Sequence, residues 1–146
     1  MGRVIIPRDR DHAALAFGPQ TVRLTNLRKV FWRERGLIKG DLLQYYADVA
    51  PWLLPHLAER AMTMKRFPDG AEGGFFYMKR APRPRPPWVR VCPIAFKDVI
   101  EFAVVSDLPS LLWMVNLGSI DLHPSYGRCD DPERPDFLHF DLDPGP

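Results

Sequence analysis

Apolar residues recur at helical spacing in two parts of the chain. Over residues 40–58 they predict an amphipathic helix with one face in the core, carried by Leu42, Leu43, Tyr46, Val49, Ala50, Leu53, Leu54 and Leu57. Pro51 lies inside this pattern, and we expect it to kink the helix or to divide it. A shorter pattern over residues 108–117 predicts a second helix, which Gly118 would end.

Strand patterns occupy much of the remaining chain. Apolar and β-branched runs bounded by turn residues predict strands at residues 22–24, 62–66, 75–79, 99–105, 119–123 and 137–143. Because these do not alternate regularly with helices, the pattern favours an α+β fold with helices packed on a mixed or antiparallel sheet. Residues 1–20 are polar and interrupted by prolines, which predicts an N-terminal arm before one domain at 21–146. Residues 81–87 and 124–136 are predicted loops.

The composition is typical of a globular domain. Of the 146 residues, 46% are hydrophobic and 26% are charged. No apolar run approaches the roughly 20 residues that span a bilayer, and the first residues lack the apolar core of a signal peptide. We therefore expect a cytoplasmic protein. Cys92 and Cys129 have no cysteine nearby in sequence, so we expect separate thiols in a reducing compartment.

Charge is distributed unevenly along the chain. Residues 1–90 contain 17 Lys and Arg against 8 Asp and Glu, whereas residues 91–146 contain 3 against 10. A basic first part and an acidic last part would suit a protein that binds a polyanion with one region and a metal with the other. A chance distribution of solvated charges is the alternative.

Two carboxylates stand near the end of the chain. In an extended strand Leu138, Phe140 and Leu142 would face the core, while Asp141 and Asp143 would share the other face with His139. Oxygen ligands of this kind suit Mg²⁺ or Mn²⁺, which predicts a divalent metal site at the two aspartates. The spacing alone also allows a nucleotide-sugar transferase, or an exposed pair that binds nothing.

Lys39 marks a second candidate site, at the expected start of the long helix. The helix macrodipole disfavours a cation there, which suggests that free helical N–H groups and the ammonium converge on a phosphate. Asn26 and Lys29 could supply further donors. The alternative is that both lysines are ordinary surface charges.

Phe75 and Phe76 are neighbours in a predicted strand and must face opposite sides, so we expect one ring in the core and the other exposed. Beside Lys65, Arg66, Lys79 and Arg80, an exposed ring could stack on a base, and we predict Lys65 and Lys79 as nucleic-acid contacts. Burial of both rings is the alternative. His123, at the end of a predicted strand, could contact a phosphate or a metal-bound nucleotide, or serve only the structure.

Six segments in this order resemble the polymerase domain of bacterial ATP-dependent DNA ligase D, a member of the archaeo-eukaryotic primase superfamily. They are Leu24-Thr25-Asn26-Leu27-Arg28-Lys29-Val30, Gly36-Leu37-Ile38-Lys39-Gly40-Asp41 with Tyr45-Tyr46, Lys65-Arg66-Phe67-Pro68-Asp69-Gly70, Phe75-Phe76, Leu122-His123-Pro124 and Phe140-Asp141-Leu142-Asp143-Pro144-Gly145. The resemblance implies a DNA repair polymerase that adds nucleotides, preferentially ribonucleotides, at broken ends in non-homologous end joining. Its mechanism would be two-metal phosphoryl transfer, and Ku would be a partner.

The resemblance also assigns roles by position. It places the catalytic metal-binding pair at Asp141 and Asp143, the 5′-phosphate cradle at Asn26, Lys29 and Lys39, template-base stacking at Phe75 and Phe76, a DNA contact at Lys65 and a nucleotide contact at His123. The family continues beyond this point through a triphosphate-binding segment and a third metal-binding aspartate, which are absent here. We therefore expect the 146 residues, as a fragment or a short form, to bind metal weakly and to lack catalysis alone. A non-catalytic module that binds DNA ends and 5′-phosphates is the alternative function.

Overall fold

The computed structural model describes residues 2–145 and contains an α+β fold. In chain order, the elements of this range are β1 (Ala13–Phe17), β2 (Gln20–Leu24), β3 (Val30–Trp32), β4 (Leu37–Ile38), α1 (Lys39–Leu57), β5 (Met62–Arg66), β6 (Phe76–Met78), β7 (Val91–Ala95), β8 (Val99–Ala103), α2 (Leu108–Asn116), β9 (Ser119–Pro124), β10 (Gly127–Arg128) and β11 (Asp131–Pro135). The predictions for α1, α2, β5 and β9 are confirmed to within one residue at each end. Neither helix in the described range is long and apolar enough to cross a membrane.

Helix α1 is continuous although two prolines lie within it. Pro51 and Pro55 each lack a main-chain donor. Leu43, Ala50 and Leu57 are nevertheless buried along one face, which holds both halves of the helix on the core. Pro51 therefore does not divide the helix.

A five-stranded antiparallel sheet forms the centre of the fold. β5 pairs with β9 along one edge and with β6 and β8 along the other, and β7 pairs with β8. The remaining strands form the hairpins β1–β2, β3–β4 and β10–β11. This arrangement confirms the predicted fold class and shows that the sheet is antiparallel.

The helices cover one face of this sheet. On the other face, a second buried cluster that includes Cys92 and Phe102 covers the part near β7 and β8, and the part around Lys65 and His123 is here called the open face. Met62 and Met64 of β5 are fully buried in the cluster that also contains both helices. Because side chains alternate along a strand, Thr63 and Lys65 point to the opposite side. Thr63 is paired in register with His123 of β9, so the His123 side chain also lies on the open face.

Residues 13–17 form a strand where the sequence predicted an arm. β1 pairs along its whole length with β2, through a tight turn at Gly18, which has φ 58. Alanine has a low intrinsic preference for strands, so the alanine-rich β1 shows little strand pattern of its own. Pairing with β2 supplies the backbone hydrogen bonds that hold β1 as a strand. The prediction of an arm is therefore wrong over residues 13–17.

The strand predicted at residues 137–143 does not form. No regular element is assigned after β11 in the described range, and Leu138, Phe140 and Leu142 are 85%, 79% and 84% exposed. The expectation of a core face here is therefore wrong. Alternating side chains produce a strand only where a neighbouring strand takes up the backbone hydrogen bonds, and residues 137–143 have no such neighbour within residues 2–145. Part of the predicted loop 124–136 is instead ordered as β10 and β11.

Cys92 and Cys129, expected as separate thiols, form a disulfide. Cys92 lies on β7 in a small buried cluster with Ala61, Phe102 and Val104. Cys129 follows β10, and its Cα lies 5.8 Å from that of Cys92. Because the two cysteines are 37 residues apart, their spacing in the sequence does not indicate that they pair. The disulfide fastens the β10–β11 hairpin to the sheet.

Candidate phosphate and nucleotide sites

A small cationic recess opens where the start of α1 meets the turn before β3 and the end of α2. Its volume is about 230 Å³, and its polar lining includes Asn26, Lys29, Lys39, Arg66 and Asn116. The structure thus brings together the three residues predicted to hold a 5′-phosphate and adds two others. Their roles in binding stay predictions.

Backbone hydrogen bonds to α1 shape the turn before β3. Asn26 has φ 54, a left-handed conformation that asparagine adopts more readily than most residues. The N–H groups of Lys39 and Gly40 donate to Lys29 O and Leu27 O, both at 2.8 Å. The expectation that these helical donors are free to bind phosphate is therefore wrong. Side chains must supply the donors of the recess.

Lys39 is almost buried, with 5% of its surface exposed. Its Nζ donates a hydrogen bond to Thr25 O at 2.8 Å. The pKa of the Lys39 ammonium falls from 10.5 to about 8, chiefly because burial removes water and also because Lys29 is positive, while Asp11 acts in the opposite direction. An ammonium has three donors, so further hydrogen bonds to an anion remain possible.

Lys29 lies at the more exposed mouth of the recess. Its Nζ donates to Pro68 O at 2.6 Å and to Asp69 Oδ1 at 2.8 Å. The turn that carries these acceptors passes close to β3, because Gly70 has φ 88 and an added Cβ would lie 2.9 Å from Phe31 O. Only glycine fits both the backbone conformation and this approach. Gly70 therefore helps to place Asp69 against Lys29.

Arg66 and Asn116 are recess residues that the sequence analysis missed. Arg66 Nε donates to Leu117 O at 2.8 Å, and burial lowers the pKa of its guanidinium. Asn116 Oδ1 accepts a hydrogen bond from Thr25 N at 3.0 Å, which ties the end of α2 to the turn. Alternation along β5 was the available signal for Arg66, since Lys65 and Arg66 must face opposite sides of the sheet.

Phe75 and Phe76 lie on opposite sides, and they are 52% and 44% exposed. Lys65 Nζ lies 4.5 Å from the Phe75 ring centroid, and the Arg66 guanidinium carbon lies 5.3 Å from the Phe76 centroid. The expectation that one ring is buried is wrong, because β6 is a short strand at the edge of the sheet. The pair therefore forms two separate aromatic and cation contacts rather than one platform.

Asp121 connects two predicted contact residues on the open face. Its Oδ2 lies 2.7 Å from His123 Nε2 and 3.6 Å from Lys65 Nζ. Lys79, the other predicted nucleic-acid contact, has its Nζ 5.8 Å from the Phe96 ring centroid and lines a neighbouring depression with Thr63. The Asp121 carboxylate therefore groups Lys65 with His123, and Lys79 is not part of this group.

The segment that carries Asp141 and Asp143 is exposed along its whole length. Asp141 lines a depression of about 900 Å³ together with His123, Arg60 and His139. The fold thus brings one aspartate of the pair to the cavity that contains the predicted nucleotide contact, and Asp143 lies outside that lining.

The two aspartates do not fit a metal site by themselves. Within residues 2–145, no three His, Cys, Asp or Glu side chains lie close enough together to hold a metal ion. Magnesium and calcium sites use several oxygen ligands, and two exposed carboxylates offer few of them. The Mg²⁺ or Mn²⁺ site stays a prediction.

The proteins that resemble this chain share one family. The family model for LigD, primase-polymerase domain, matches residues 38–146. The multifunctional non-homologous end joining DNA repair protein LigD of Mycobacterium tuberculosis (strain ATCC 25618 / H37Rv) is 31% identical over 135 residues, which cover 86% of this chain and 18% of that protein. The bifunctional non-homologous end joining protein LigD of Bacillus subtilis (strain 168) is 32% identical over 124 residues, which cover 84% and 20%.

A solved structure shows the same fold. The polymerase domain from Mycobacterium tuberculosis ligase D, in complex with DNA, superimposes with a TM-score of 0.69 and 30% identity, covering 72% of this chain and 37% of that one. The chain spans about a fifth of the length of the curated relatives described above. With a family model that matches most of its residues and relatives at this level of identity, the chain belongs to the LigD primase-polymerase domain family.

Proposed function

We propose that this chain binds the phosphorylated 5′ terminus of a DNA break as part of an end-joining repair polymerase. The cationic recess carries the proposal, because Lys29, Lys39 and Arg66 surround a volume of about 230 Å³. Pockets for drug-sized molecules have volumes of roughly 300–1,000 Å³, so the recess suits a phosphate group better than a whole nucleotide. The similar polymerase domain was solved with DNA, which favours DNA as the source of the phosphate.

A phosphate in the recess would offset an unfavourable concentration of positive charge. Burial and the charges of Lys29 and Arg66 all lower the pKa of Lys39. An anion would favour the charged ammonium and would accept hydrogen bonds from it and from the Arg66 guanidinium. Lys29 can exchange its exposed partner Asp69 for the phosphate at little cost, because exposed ion pairs contribute little to stability.

For the polymerase, we propose that the incoming nucleotide binds in the depression of about 900 Å³ that Asp141 and His123 line. This volume has room for a nucleotide. His123, whose Nε2 is held by Asp121, would orient the triphosphate of an incoming nucleotide. The names of the similar proteins place them in non-homologous end joining, and this supports the same process for this chain.

A module that binds DNA ends without polymerising them is the second candidate function. It is favoured by the exposure of Asp141 and Asp143 and by the lack of a third ligand beside them within residues 2–145. Both candidates use the cationic recess in the same way. They differ only in whether nucleotides are added.

Binding to DNA ends tests the recess. Duplexes with a recessed 5′-phosphate are expected to bind about 10- to 100-fold more tightly than duplexes with a 5′-hydroxyl, since hydrogen bonds to charged groups contribute roughly 1.5–3 kcal/mol. Lys39→Met should abolish this difference, and Lys39→Arg, which keeps the charge, should retain part of it. Lys97→Met is the matched control, because it removes an exposed lysine between β7 and β8 and should affect both ends equally. Equal affinity of the unmodified chain for both ends would refute the assignment.

Nucleotide addition separates the two candidates. The chain is incubated with a primed gap, ribonucleoside triphosphates and Mn²⁺. Extension that disappears in Asp141→Ala would support the polymerase. Retained preference for the 5′-phosphate without extension would show that the chain by itself acts as an end-binding module.

A further inference from the structure

The open face of the five-stranded sheet carries a row of four rings, here called the aromatic row. The ring centroids are 5.4 Å apart between Phe67 and Phe75, 5.7 Å apart between Phe75 and Tyr77, and 5.9 Å apart between Tyr77 and His123. Tyr77 is a central member, and 57% of its surface is exposed. Phe67 is buried, so the row presents ring surface to solvent along the line from Phe75 through Tyr77 to His123.

Lys65 places a positive charge inside this row. It is the cross-strand partner of Tyr77, and its Nζ lies 4.5 Å from the Phe75 centroid and 6.0 Å from the Tyr77 centroid. Only 22% of the Lys65 side chain is exposed, and its Nζ lies 3.6 Å from Asp121, so the ammonium is held in one place. Proteins bind single-stranded nucleic acids with this combination, because rings stack on bases while cations contact the phosphates.

Tyr77 contributes little to the packing of the fold. It belongs to neither hydrophobic cluster of the described residues. Large aromatic side chains usually stabilise a protein by burial, and Tyr77 is instead more than half exposed. Its position is thus better explained by a ligand on the open face than by the stability of the sheet.

We infer that Tyr77 stacks on a base of a single-stranded 3′ overhang and joins Phe75 and His123 into one continuous track for that strand. The inference rests on the proposed function, because a recessed 5′-phosphate leaves the opposite strand unpaired and that strand needs a surface of its own. Phe76 and Arg66 lie on the other side of β6 and β5 and cannot join this track. Continuity depends on Tyr77, since its ring connects those of Phe75 and His123.

Fluorescence anisotropy with labelled, 5′-phosphorylated duplexes tests the inference. The duplexes are blunt or carry 3′ overhangs of increasing length. Affinity should rise with overhang length, and Tyr77→Ala should lose roughly 5- to 150-fold of that gain, which corresponds to the loss of one stacked base. Tyr77→Phe keeps the ring and should keep the gain. Tyr45→Ala is the matched control, because Tyr45 is a 59% exposed tyrosine on α1, outside the row.

The blunt duplexes keep this test separate from the proposed function. A Tyr77→Ala chain that still prefers a blunt 5′-phosphate end over a 5′-hydroxyl end is folded, and an unchanged overhang gain in that chain would overturn the inference. An equal loss in Tyr45→Ala would also overturn it. If the unmodified chain shows no phosphate preference but Tyr77→Ala still loses the overhang gain, the proposed function fails and the role of Tyr77 stands.

Discussion

The cationic recess and the segment around Asp141 and Asp143 are both charged candidate sites, but the fold supports them very differently. In the recess, Lys39 is 5% exposed and its Nζ is bonded to Thr25 O. Asp141 and Asp143 are exposed and follow the last strand of the described range. The charged residues thus form a defined site only where neighbouring elements satisfy the backbone hydrogen bonds of the segment that carries them. A charged motif alone is not sufficient.

Burial of the charged Lys39 also lowers the stability of the fold. Keeping Lys39 protonated against a pKa of about 8 rather than 10.5 costs roughly 3 kcal/mol at neutral pH. The carboxylate pair has no comparable cost, because both groups remain in water. Removing the charge should therefore raise the stability of the fold at Lys39 and leave it almost unchanged at Asp141 and Asp143.

Reduction of the disulfide between Cys92 and Cys129 is expected to cause the largest loss of stability. The disulfide holds the β10–β11 hairpin, which precedes Asp141 and Asp143 in the chain. The disulfide joins residues 37 apart, and closing a loop of this size stabilises a protein by about 3–4 kcal/mol in the chain-entropy account. Urea unfolding with and without reductant measures the loss. Amide hydrogen exchange should become faster in β10 and β11 and stay unchanged in the turn before β3.

Cys129→Ala is the control for this experiment, since its stability should not respond to reductant. Faster exchange of equal size around Lys39 would contradict the comparison. It would mean that the cationic recess depends on the hairpin.

Lys39→Met is expected to have an intermediate effect and to stabilise the fold. Removing the buried charge should raise the free energy of unfolding at pH 7 by about 1–2 kcal/mol, less than the full cost because Thr25 O loses its donor. The folded pKa lies below the unfolded value, so this gain is complete below pH 8 and disappears as the pH rises towards 10.5. Urea unfolding at several pH values measures it, with Lys97→Met as the control. A less stable Lys39→Met chain at pH 7 would show that the ammonium supports the fold.

Asp141→Asn and Asp143→Asn are expected to have the smallest effects. Both side chains are exposed, so each change should alter the free energy of unfolding by less than about 0.5 kcal/mol and leave the phosphate preference intact. Asp41→Asn is the matched comparison, because Asp41 accepts the Ile38 N–H at 3.0 Å and pairs with Arg8. It should cost about 1–2 kcal/mol. A comparable loss in Asp141→Asn by urea unfolding would place that segment in a packed environment.

Local pattern was sufficient for the elements that bury a regular face. α1, α2 and β5 were predicted nearly to their ends, and Lys39 was placed correctly at the start of α1. Local pattern did not predict β1, whose alanines carry little signal. It wrongly predicted a strand at residues 137–143, whose alternation has no paired strand in the described range. Pairing between strands is a long-range event, and a short window of sequence does not contain it.

Local patterns along the chain predicted where the main helices and the central strand lie, and the ordered motifs indicated the family. Periodicity conveys this information because it reflects contacts between residues three or four positions apart, or alternation along one strand. Packing between distant elements brings Arg66 to Lys39 and Cys92 to Cys129, and it places Tyr77 between two predicted contact residues. These contacts depend on how distant elements pack, and a local sequence pattern does not contain that information.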